Sequence, residues 1–357
     1  MDRLAPNTRL GPHSLLFNQK TVARQVGISG VGIHTGKVIR VKMSPAPAGT
    51  GIVFRRLDSA GVEIPALASE VSSVELATTL GRDDVTISTV EHLLAAVRVC
   101  DIDNLWIELD GPEVPILDGS ASPFLHLLEA AGVLWQQEPR RIMAITAPLT
   151  VELGGKLIRA SPYPGLRVSY VIDFAHPAIG HQEIDLVVSP ELFARELAPA
   201  RTFGLLDDVE RLRRRGLGLG GDHDNCVVFG PEGPANTGLR FADEPVRHKA
   251  LDVVGDLALS GAPLWGYVEV VRGGHQLHFS LLEALRQRTD CWTWLEGQPQ
   301  HPAQRTPHHA SQHAPRPHLS AAHAAHDAHD AHDANIAAEA APRDAAPAAH
   351  LPRRRLS

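Results

Sequence analysis

The clearest helical pattern in the chain is DEPVRHKALDVVGDLALSG, at residues 243–261. Apolar side chains recur there at helical spacing, at Val246, Ala250, Val253 and Leu257. Asp243 offers an N-cap, Pro245 suits the first turn, and Gly261 supplies a stop. The pattern therefore predicts one helix of about four turns.

The same stretch carries polar residues at His248, Asp252 and Asp256, spaced i, i+4 and i+8. His248 and Asp252 stand one turn apart, roughly 6 Å along the axis, close enough to bind one ion. Asp256 lies roughly 12 Å from His248, too far to join that shell, and is better placed to hold a third group. If the stripe is buried, its members must be paired or metal-bound. The alternative is a helix whose polar stripe faces water.

Elsewhere the pattern predicts short strands followed by helices, in an order that both halves of the chain share. In the first half, strands are predicted at 21–29, 38–43, 51–55, 62–65 and 102–109, and helices from a Ser88 or Thr89 cap to residue 97 and at 123–131. In the second half, strands are predicted at 141–153, 156–161, 166–173, 225–229 and 266–271, and further helices at 200–215 and 279–288. The first half is expected to end near Glu138 and Pro139.

Composition supports two domains followed by a tail. The 357 residues, 43% of them hydrophobic, suffice for two domains of ordinary size once the tail is set aside. We divide the chain into a loose leader at 1–18, an N-terminal domain at 19–138, a C-terminal domain at 139–296 and a tail at 297–357. The tail contains HAAHDAHDAHD and lacks large apolar side chains, so disorder is expected. Weak binding of divalent metal by the His-Asp repeat is the alternative to a merely solvated tail.

Charge and cysteine content exclude several classes of protein. The net charge of −7 argues against a nucleic-acid partner, and the arginine run at 211–215 is balanced by acidic residues just before it. Cys100, Cys226 and Cys291 lie far apart without a CxxC pair, which indicates neither a disulfide framework nor a thiolate zinc site. No apolar run reaches signal-peptide or membrane-spanning length. We expect a soluble cytoplasmic protein without an integral membrane segment, and we take it to be a monomer.

Two further stretches contain candidate functional residues. The turn GVGIHTG at 30–36 has the spacing GxGxxxG and leads into a strand, which argues against a dinucleotide loop. His34 is a candidate ligand there, although a turn histidine held by its neighbours is favoured. Glu91 lies three residues after Ser88, as in a capping box, which gives it a structural alternative. His92 faces about 100° away from Glu91 and can point at something else.

Together these residues match the ligand count of a catalytic zinc. His92 on one helix and His248 with Asp252 on another would supply two neutral imidazoles and one carboxylate, with a fourth position open for water. Glu91 would then be free to take a proton from that water, whose pKa zinc lowers to about 7. His275 follows a predicted strand and is a further candidate. Spacing alone leaves open whether the two helices meet.

A set of motifs, ordered across residues 20–290, indicates a known family. They are SGVGIHTG at 29–36, ISTVEHL at 87–93, PILDGSA at 115–121, RTFG at 201–204, RRGL at 214–217, the glycine pair at 220–221, RHKALDVVGD at 247–256 and GH at 274–275. The chain closely resembles the UDP-3-O-acyl-N-acetylglucosamine deacetylase (LpxC) family, the zinc amidohydrolases of lipid A biosynthesis. The resemblance implies an α+β fold of two similar domains, each a sheet packed on helices, in a layered β-α-α-β sandwich with the active site between domains.

The resemblance also implies roles for the residues that match the motifs. Zinc would be bound by His92, His248 and Asp252, with Glu91 as general base. His275 would bear positive charge, stabilise the oxyanion and protonate the departing amine, with Asp256 orienting it. Further residues are implied in oxyanion or substrate binding: Thr202 at the oxyanion, Lys249 at phosphate or sugar oxygens, Phe203 at the sugar, and Val209, Gly221 and Val228 along the acyl-chain passage.

The function implied is hydrolysis of the N-acetyl group of a lipid-bearing UDP-sugar, giving the free amine and acetate. Asp222 and His223 depart from the family pattern, which expects Ser and an apolar residue there, and this affects the acyl passage. A packing role is the alternative for each substrate-binding residue. Two other functions are alternatives: a catalytically silent metal- or nucleotide-sugar-binding protein on the same fold, and a deacetylase of another N-acetyl sugar. His2Asp also suits Fe²⁺.

Overall fold

The computed structural model describes residues 18–235 and 238–296. The predicted tail at 297–357, and the predicted leader except for Asn18, lie outside the described residues. Asn18 begins the first strand.

Short strands dominate the first half. They are β1 (Asn18–Val22), β2 (Val26–Val31), β3 (Val38–Pro45), β4 (Ile52–Arg56), β5 (Val62–Pro65), β6 (Val71–Ser73), β7 (Thr79–Arg82), β8 (Val85–Ile87), β9 (Leu105–Leu109) and β10 (Val133–Pro139). The helices are α1 (Glu91–Val99) and α2 (Ser122–Ala131). A 3-10 turn at Ala68–Glu70 precedes β6.

The second half has longer helices. Its strands are β11 (Arg141–Ile145), β12 (Leu149–Leu153), β13 (Lys156–Ser161), β14 (Leu166–Asp173), β15 (His181–Val187), β16 (Phe203–Leu205), β17 (Val227–Gly230), β18 (Gly233–Pro234), β19 (Leu264–Val271) and β20 (Trp292–Glu296). Its helices are α3 (Pro190–Leu192), α4 (Leu206–Arg214), α5 (Glu244–Leu257) and α6 (His275–Gln287). A π-helix at Phe193–Leu197 follows α3, and 3-10 turns occupy Ala258–Ser260 and Thr289–Cys291.

Each half contributes one large mixed sheet. The first is five-stranded in the order β2-β3-β9-β4-β5, antiparallel except where β4 meets β9. The second is seven-stranded and built around β19, which pairs antiparallel with β13 and parallel with β11 and β14. Buried residues alternate with exposed or half-buried ones along β3 and with half-buried ones along β19, so Ile39, Val41 and Met43 on β3 point into the core. One face of each sheet therefore packs inward and the other stays solvated.

The helices of the two halves meet between the sheets. In the first half, α2 packs on α1 and β2, whereas α5 packs on β14 and β15 and α6 on β12 and β13. Helix α1 lies directly against α5. The result is the β-α-α-β layering that the family resemblance implies, and the predicted α+β fold class is confirmed.

Gly255 permits the close contact between α1 and α5. A Cβ at this position would lie 2.8 Å from the carbonyl carbon of Glu91 and closer still to its oxygen. Of the residues in α5, all but Arg247 and Lys249 are buried. The polar stripe therefore does not face water, and His248, Asp252 and Asp256 are interior groups that need partners.

The predicted stop of the central helix at Gly261 is confirmed, whereas the predicted side-chain caps at the starts of α5 and α1 are wrong. The central helix ends at Leu257 and continues as a 3-10 turn to Gly261, whose φ of 80° terminates it. Asp243 does not cap, because its carboxylate accepts a hydrogen bond from Arg247 Nε at 2.6 Å. The capping box is absent as well: α1 begins at Glu91 without a side-chain cap, and the Ser88 hydroxyl bonds Thr79 Oγ1 instead.

One helix prediction is wrong at its start because strand pairing overrides the local pattern, and another helix starts earlier than predicted. The predicted helix at 200–215 is a strand at Phe203–Leu205, paired parallel with Val227–Phe229, before the helix starts at Leu206. The closing helix starts at His275, four residues before its predicted start at 279. The sequence pattern also missed β20, which pairs with β11 at the edge of the second sheet.

The described residues also bear on cysteine pairing and on helix length. Cys100, Cys226 and Cys291 form no disulfide with one another in the part of the chain that the structure describes. The longest helix there has 14 residues, so no helix of 18–235 or 238–296 reaches bilayer-spanning length.

We predict that Gly255→Ala lowers the free energy of unfolding by about 1–3 kcal/mol, because the added methyl must displace the Glu91 carbonyl. The intrinsic preference of a helix for Ala over Gly, about 1 kcal/mol, acts in the opposite direction. Urea denaturation measures the change. Gly238→Ala is the matched control, since a Cβ there meets nothing within 4 Å. A Gly255→Ala protein at least as stable as the parent would contradict the close contact.

Candidate active site

Three predicted ligands converge where α1 crosses α5. His92 Nε2 lies 3.6 Å from Asp252 Oδ1, and His248 Nε2 lies 3.3 Å from the same oxygen. The three candidate ligand atoms all fall within 4.8 Å of one another, and all three residues are buried. The imidazole rings are nearly perpendicular, at 85°, with centroids 4.9 Å apart. One ion could contact all three side chains.

The hydrogen bonding around this triad fits a divalent metal. His248 Nδ1 donates to the carbonyl oxygen of Ala200 at 3.0 Å, which leaves Nε2 with a lone pair facing the triad. Asp252 Oδ1 is buried and accepts no hydrogen bond from residues 18–235 or 238–296, whereas Oδ2 accepts one from Lys249 Nζ at 2.6 Å. A buried carboxylate oxygen without a donor is costly unless a cation binds it. The triad therefore has the form of a metal site.

The protonation states agree with metal binding. Burial lowers the pKa of His248 to about 4, so its imidazole is neutral at pH 7. Burial alone would raise the pKa of Asp252, but the neighbouring His248 and Lys249 hold it well below the ordinary value. A neutral imidazole and an ionised carboxylate are the forms that ligate metals.

Glu91 lies beside the triad but makes different contacts. Its Oε2 accepts a hydrogen bond from the backbone N–H of Thr78 at 3.1 Å, and its Oε1 lies 3.8 Å from His275 Nε2. Burial raises the pKa of the Glu91 carboxyl. A carboxyl with a raised pKa is a better proton acceptor than an ordinary one.

His275 and Asp256 form a second cluster on the other side of Glu91. Asp256 Oδ2 lies 2.7 Å from His275 Nδ1, and Asp256 Oδ1 accepts a hydrogen bond from Thr78 Oγ1 at 2.6 Å. Burial alone would lower the pKa of His275, but the charge and hydrogen bond of Asp256 raise it to about 9. The imidazole is therefore charged at neutral pH and can donate a proton. Asp256 does not belong to the metal triad, as its position two turns from His248 predicted.

The triad and Glu91 face a cleft of about 690 Å³. All of the implied substrate-binding residues line it: Thr202, Phe203, Lys249, Val209, Gly221 and Val228. Phe203 packs edge-on against Phe174 and Phe229 at the start of an apolar groove. Asp222 and His223, the departures from the family pattern, line the same cleft. A second cavity of about 430 Å³, lined by Lys156 and Gln276, shares His275 with it.

Two buried carboxylates, which the sequence patterns did not single out, hold the cleft walls. Glu113 accepts hydrogen bonds from the backbone N–H groups of His34 and Thr35 and from Thr89 Oγ1. Glu244 accepts from the backbone N–H and Nε of Arg201, both at 2.9 Å. Both carboxylates are almost fully buried, at 0% and 1% exposure. The sequence signal that could have identified them is their position: Glu113 lies just before the motif at 115–121, and Glu244 lies just before the motif at 247–256.

His34 lies on the turn that Glu113 holds, and it lines the cleft outside the metal triad. Its Nδ1 is buried without a hydrogen-bond partner, and burial lowers its pKa. His278 was also missed by the sequence patterns. It lies one turn after His275 and contacts Asp256.

A family model described as UDP-3-O-acyl N-acetylglycosamine deacetylase matches residues 19–287. Relatives named UDP-3-O-acyl-N-acetylglucosamine deacetylase align over most of their length. The protein of Oleidesulfovibrio alaskensis is 47% identical over 278 residues, covering 77% of this chain and 91% of its own. That of Geobacter sp. strain M21 is 46% identical over 284 residues, covering 79% and 93%. That of Myxococcus xanthus is 46% identical over 278 residues, covering 77% and 88%.

The chain belongs to the LpxC deacetylase family. The family resemblance drawn from the motifs is thereby confirmed. The family is one of metalloenzymes, in agreement with the buried triad of His92, His248 and Asp252. The match ends at residue 287, so the tail lies outside it.

We predict that Asp256→Asn lowers the pKa of His275 in the metal-free protein from about 9 to below its ordinary value of 6.5. Burial then acts without the opposing carboxylate. Titration of the imidazole by ¹⁵N NMR measures the shift, with Asp84→Asn at an exposed position as control. In the parent, this pairing stabilises the fold fully below pH 6.5, and the contribution is lost as pH rises through about 9. A His275 pKa that stays near 9 in Asp256→Asn would exclude the pairing as its cause.

Proposed function

We propose that this protein hydrolyses the N-acetyl group of UDP-3-O-acyl-N-acetylglucosamine to the free amine and acetate, the committed step of lipid A biosynthesis. The observation that carries the proposal is the meeting of the buried His2Asp triad, Glu91 and His275 at one cleft with an apolar groove, in a chain of this family. We also propose that the enzyme acts as a monomer in the cytoplasm, as predicted from the sequence.

We propose Zn²⁺ as the metal held by His92, His248 and Asp252, with Fe²⁺ as the alternative that the same donors suit. When bound, the metal supplies Lewis-acid polarisation of the amide and a lowered pKa for an attacking water. Asp252 Oδ1, which accepts no hydrogen bond from any described residue, most directly supports a bound cation at this position.

Glu91 is the general base in this proposal. Glu91 immediately precedes the triad residue His92 in sequence, and Thr78 holds only one of its carboxylate oxygens, so the other oxygen can accept a proton from water. Burial raises the pKa of Glu91 and strengthens that acceptor. The structural alternative, a capping box, does not form.

His275 is the general acid and the cationic partner of the tetrahedral oxyanion. Its Nδ1 is engaged by Asp256, so Nε2 is the atom that presents a proton to the departing amine. Nε2 lies 3.8 Å from Glu91 Oε1, which supports the proposal that the acid and the base act at the same reacting group. Thr202 lines the cleft and contributes a hydroxyl donor to the oxyanion.

The substrate has two arms, and the two cavities offer a place for each. We assign the acyl chain to the groove lined by Val209, Gly221 and Val228, with Phe203 against the sugar. Lys249 donates to Asp252 and retains further N–H donors for sugar or phosphate oxygens. We assign the diphosphate arm to the second cavity, where Lys156 provides positive charge next to His275.

The experiment that tests the function is acetate release from UDP-N-acetylglucosamine with and without a 3-O-acyl chain. We predict a kcat/KM for the acylated substrate more than about 100-fold higher. Each buried CH₂ contributes about 0.8 kcal/mol, so roughly four methylenes in the groove account for that factor. Equal turnover of both sugars would point to a deacetylase of another N-acetyl sugar. Binding without acetate release, in protein with a full metal complement, would establish the silent alternative.

We predict that Glu91→Gln keeps the metal but lowers kcat by about 10²–10⁴-fold, the usual contribution of a general base. Acetate release and metal content by mass spectrometry are measured on the same preparation. Glu75→Gln, at an exposed position, is the matched control. All measurements use a variant ending at residue 296 beside the full chain, because the His-Asp repeats of the tail can bind metal themselves. Turnover near the parent value in Glu91→Gln would remove this residue from the mechanism.

A further inference from the structure

A second imidazole shares the carboxylate that holds His275. His278 lies one helical turn further along α6, and its Nδ1 is 2.7 Å from Asp256 Oδ2, the same distance and the same oxygen as His275 Nδ1. His278 is completely buried, at 0% exposure, and it lines neither cavity. It therefore contacts Asp256 from the core side and does not border the cavities proposed to bind the substrate.

Tyr170 on β14 defines the tautomer of His278. Its hydroxyl lies 3.2 Å from His278 Nε2, and burial raises the pKa of the phenol well above its ordinary value. The protonated phenol therefore donates to Nε2, and the ring proton of His278 lies on Nδ1, where it is donated to Asp256. Burial lowers the pKa of His278 even though Asp256 opposes the change, so this imidazole stays neutral.

Asp256 thus accepts hydrogen bonds from three sides. Thr78 Oγ1 donates to Oδ1, whereas His275 and His278 both donate to Oδ2. The two rings stand at 80° to each other with centroids 6.0 Å apart, so each approaches the shared oxygen from its own direction. A carboxylate held on both oxygens has no freedom to rotate away from His275.

We propose that His278 is a positioning residue for the reaction: it holds the Asp256 carboxylate in place for His275, and Tyr170 fixes the tautomer that makes this possible. The inference rests on the proposed role of His275 as general acid. The titratable and charged groups that face this cluster from the packed elements are Asp252, Asp256 and Lys249 on α5, Glu91 on α1, His275 on α6 and Tyr170 on β14.

A neutral donor has a definite electrostatic consequence. It spreads the negative charge of Asp256 over a second hydrogen bond, which moderates the attraction of that carboxylate for the proton on His275. Loss of the donor should therefore raise the pKa of His275, whereas loss of the carboxylate in Asp256→Asn lowers it. Because the two substitutions are expected to shift the His275 pKa in opposite directions, the titration distinguishes His278 from a residue that only supports the fold.

The test compares His278→Leu, which removes both ring nitrogens, with His278→Asn, whose amide N–H can take the place of Nδ1–H. We expect His278→Leu to lower kcat about 10- to 100-fold with KM within twofold. The alkaline limb of the pH–rate profile and the ¹⁵N-detected pKa of His275 should both move upward. His278→Asn should restore kcat to within about threefold of the parent. It should also return the alkaline limb and the His275 pKa to their parental values. His126→Leu, at an exposed position on α2, is the matched control.

Three results would overturn the proposal: a parental kcat and pH profile in His278→Leu, a downward shift of the His275 pKa, or a His278→Asn protein as impaired as His278→Leu. Should His278→Leu fail to fold, Tyr170→Phe decides, because loss of the phenol proton frees His278 Nε2 to protonate and must change the His275 titration. The NMR titration is independent of turnover. If the parent releases no acetate but the His278 variants show the expected shifts of the His275 pKa, the proposed function is refuted and the positioning role is retained.

Discussion

The contact between α1 and α5 at Gly255 is the constraint on which the rest of the structure depends. Helices that carry ordinary side chains at their contact pack 8–10 Å apart. At Gly255 the backbone of Glu91 occupies the space where a side chain would begin. This close approach brings His92 of one half to within 3.6 Å of Asp252 in the other. The packing of α1 against α5 therefore also sets the distance between His92 and Asp252, and a change in that packing would change the geometry of the candidate metal site.

Burial of three neighbouring carboxylates is tolerated because each has a different set of partners. Asp252 has Lys249 on one oxygen and faces the metal position with the other. Asp256 is held by hydrogen-bond donors on both oxygens, which keeps it ionised. Glu91 has a single backbone donor, and burial raises its pKa. Environment thus gives these chemically similar side chains different protonation behaviour, which is what their proposed roles as metal ligand, orienting group and base require.

The cleft walls depend on buried ion pairs and carboxylate clamps outside the reacting groups. Glu244 fixes Arg201, and with it the short strand that carries Phe203 into the cleft. Glu113 fixes the glycine turn at His34 from the opposite side, and a Cβ on Gly32 would collide with its carboxylate. Such pairs contribute little net stability, but breaking one leaves a buried charge without its partner. They fix the positions of backbone segments that line the cleft.

The sequence by itself determined the local elements whose pattern is strong and the residues whose spacing is fixed along one helix. The strands Val62–Pro65, Lys156–Ser161 and Leu166–Asp173 have the predicted bounds, and helical geometry placed Asp256 beyond the metal shell. Family motifs supplied the remaining site residues. Only the tertiary structure decided that α1 meets α5, that Phe203 is in a strand, and that His278 shares the carboxylate of His275. Those outcomes depend on contacts between residues far apart in the chain, which local periodicity does not encode.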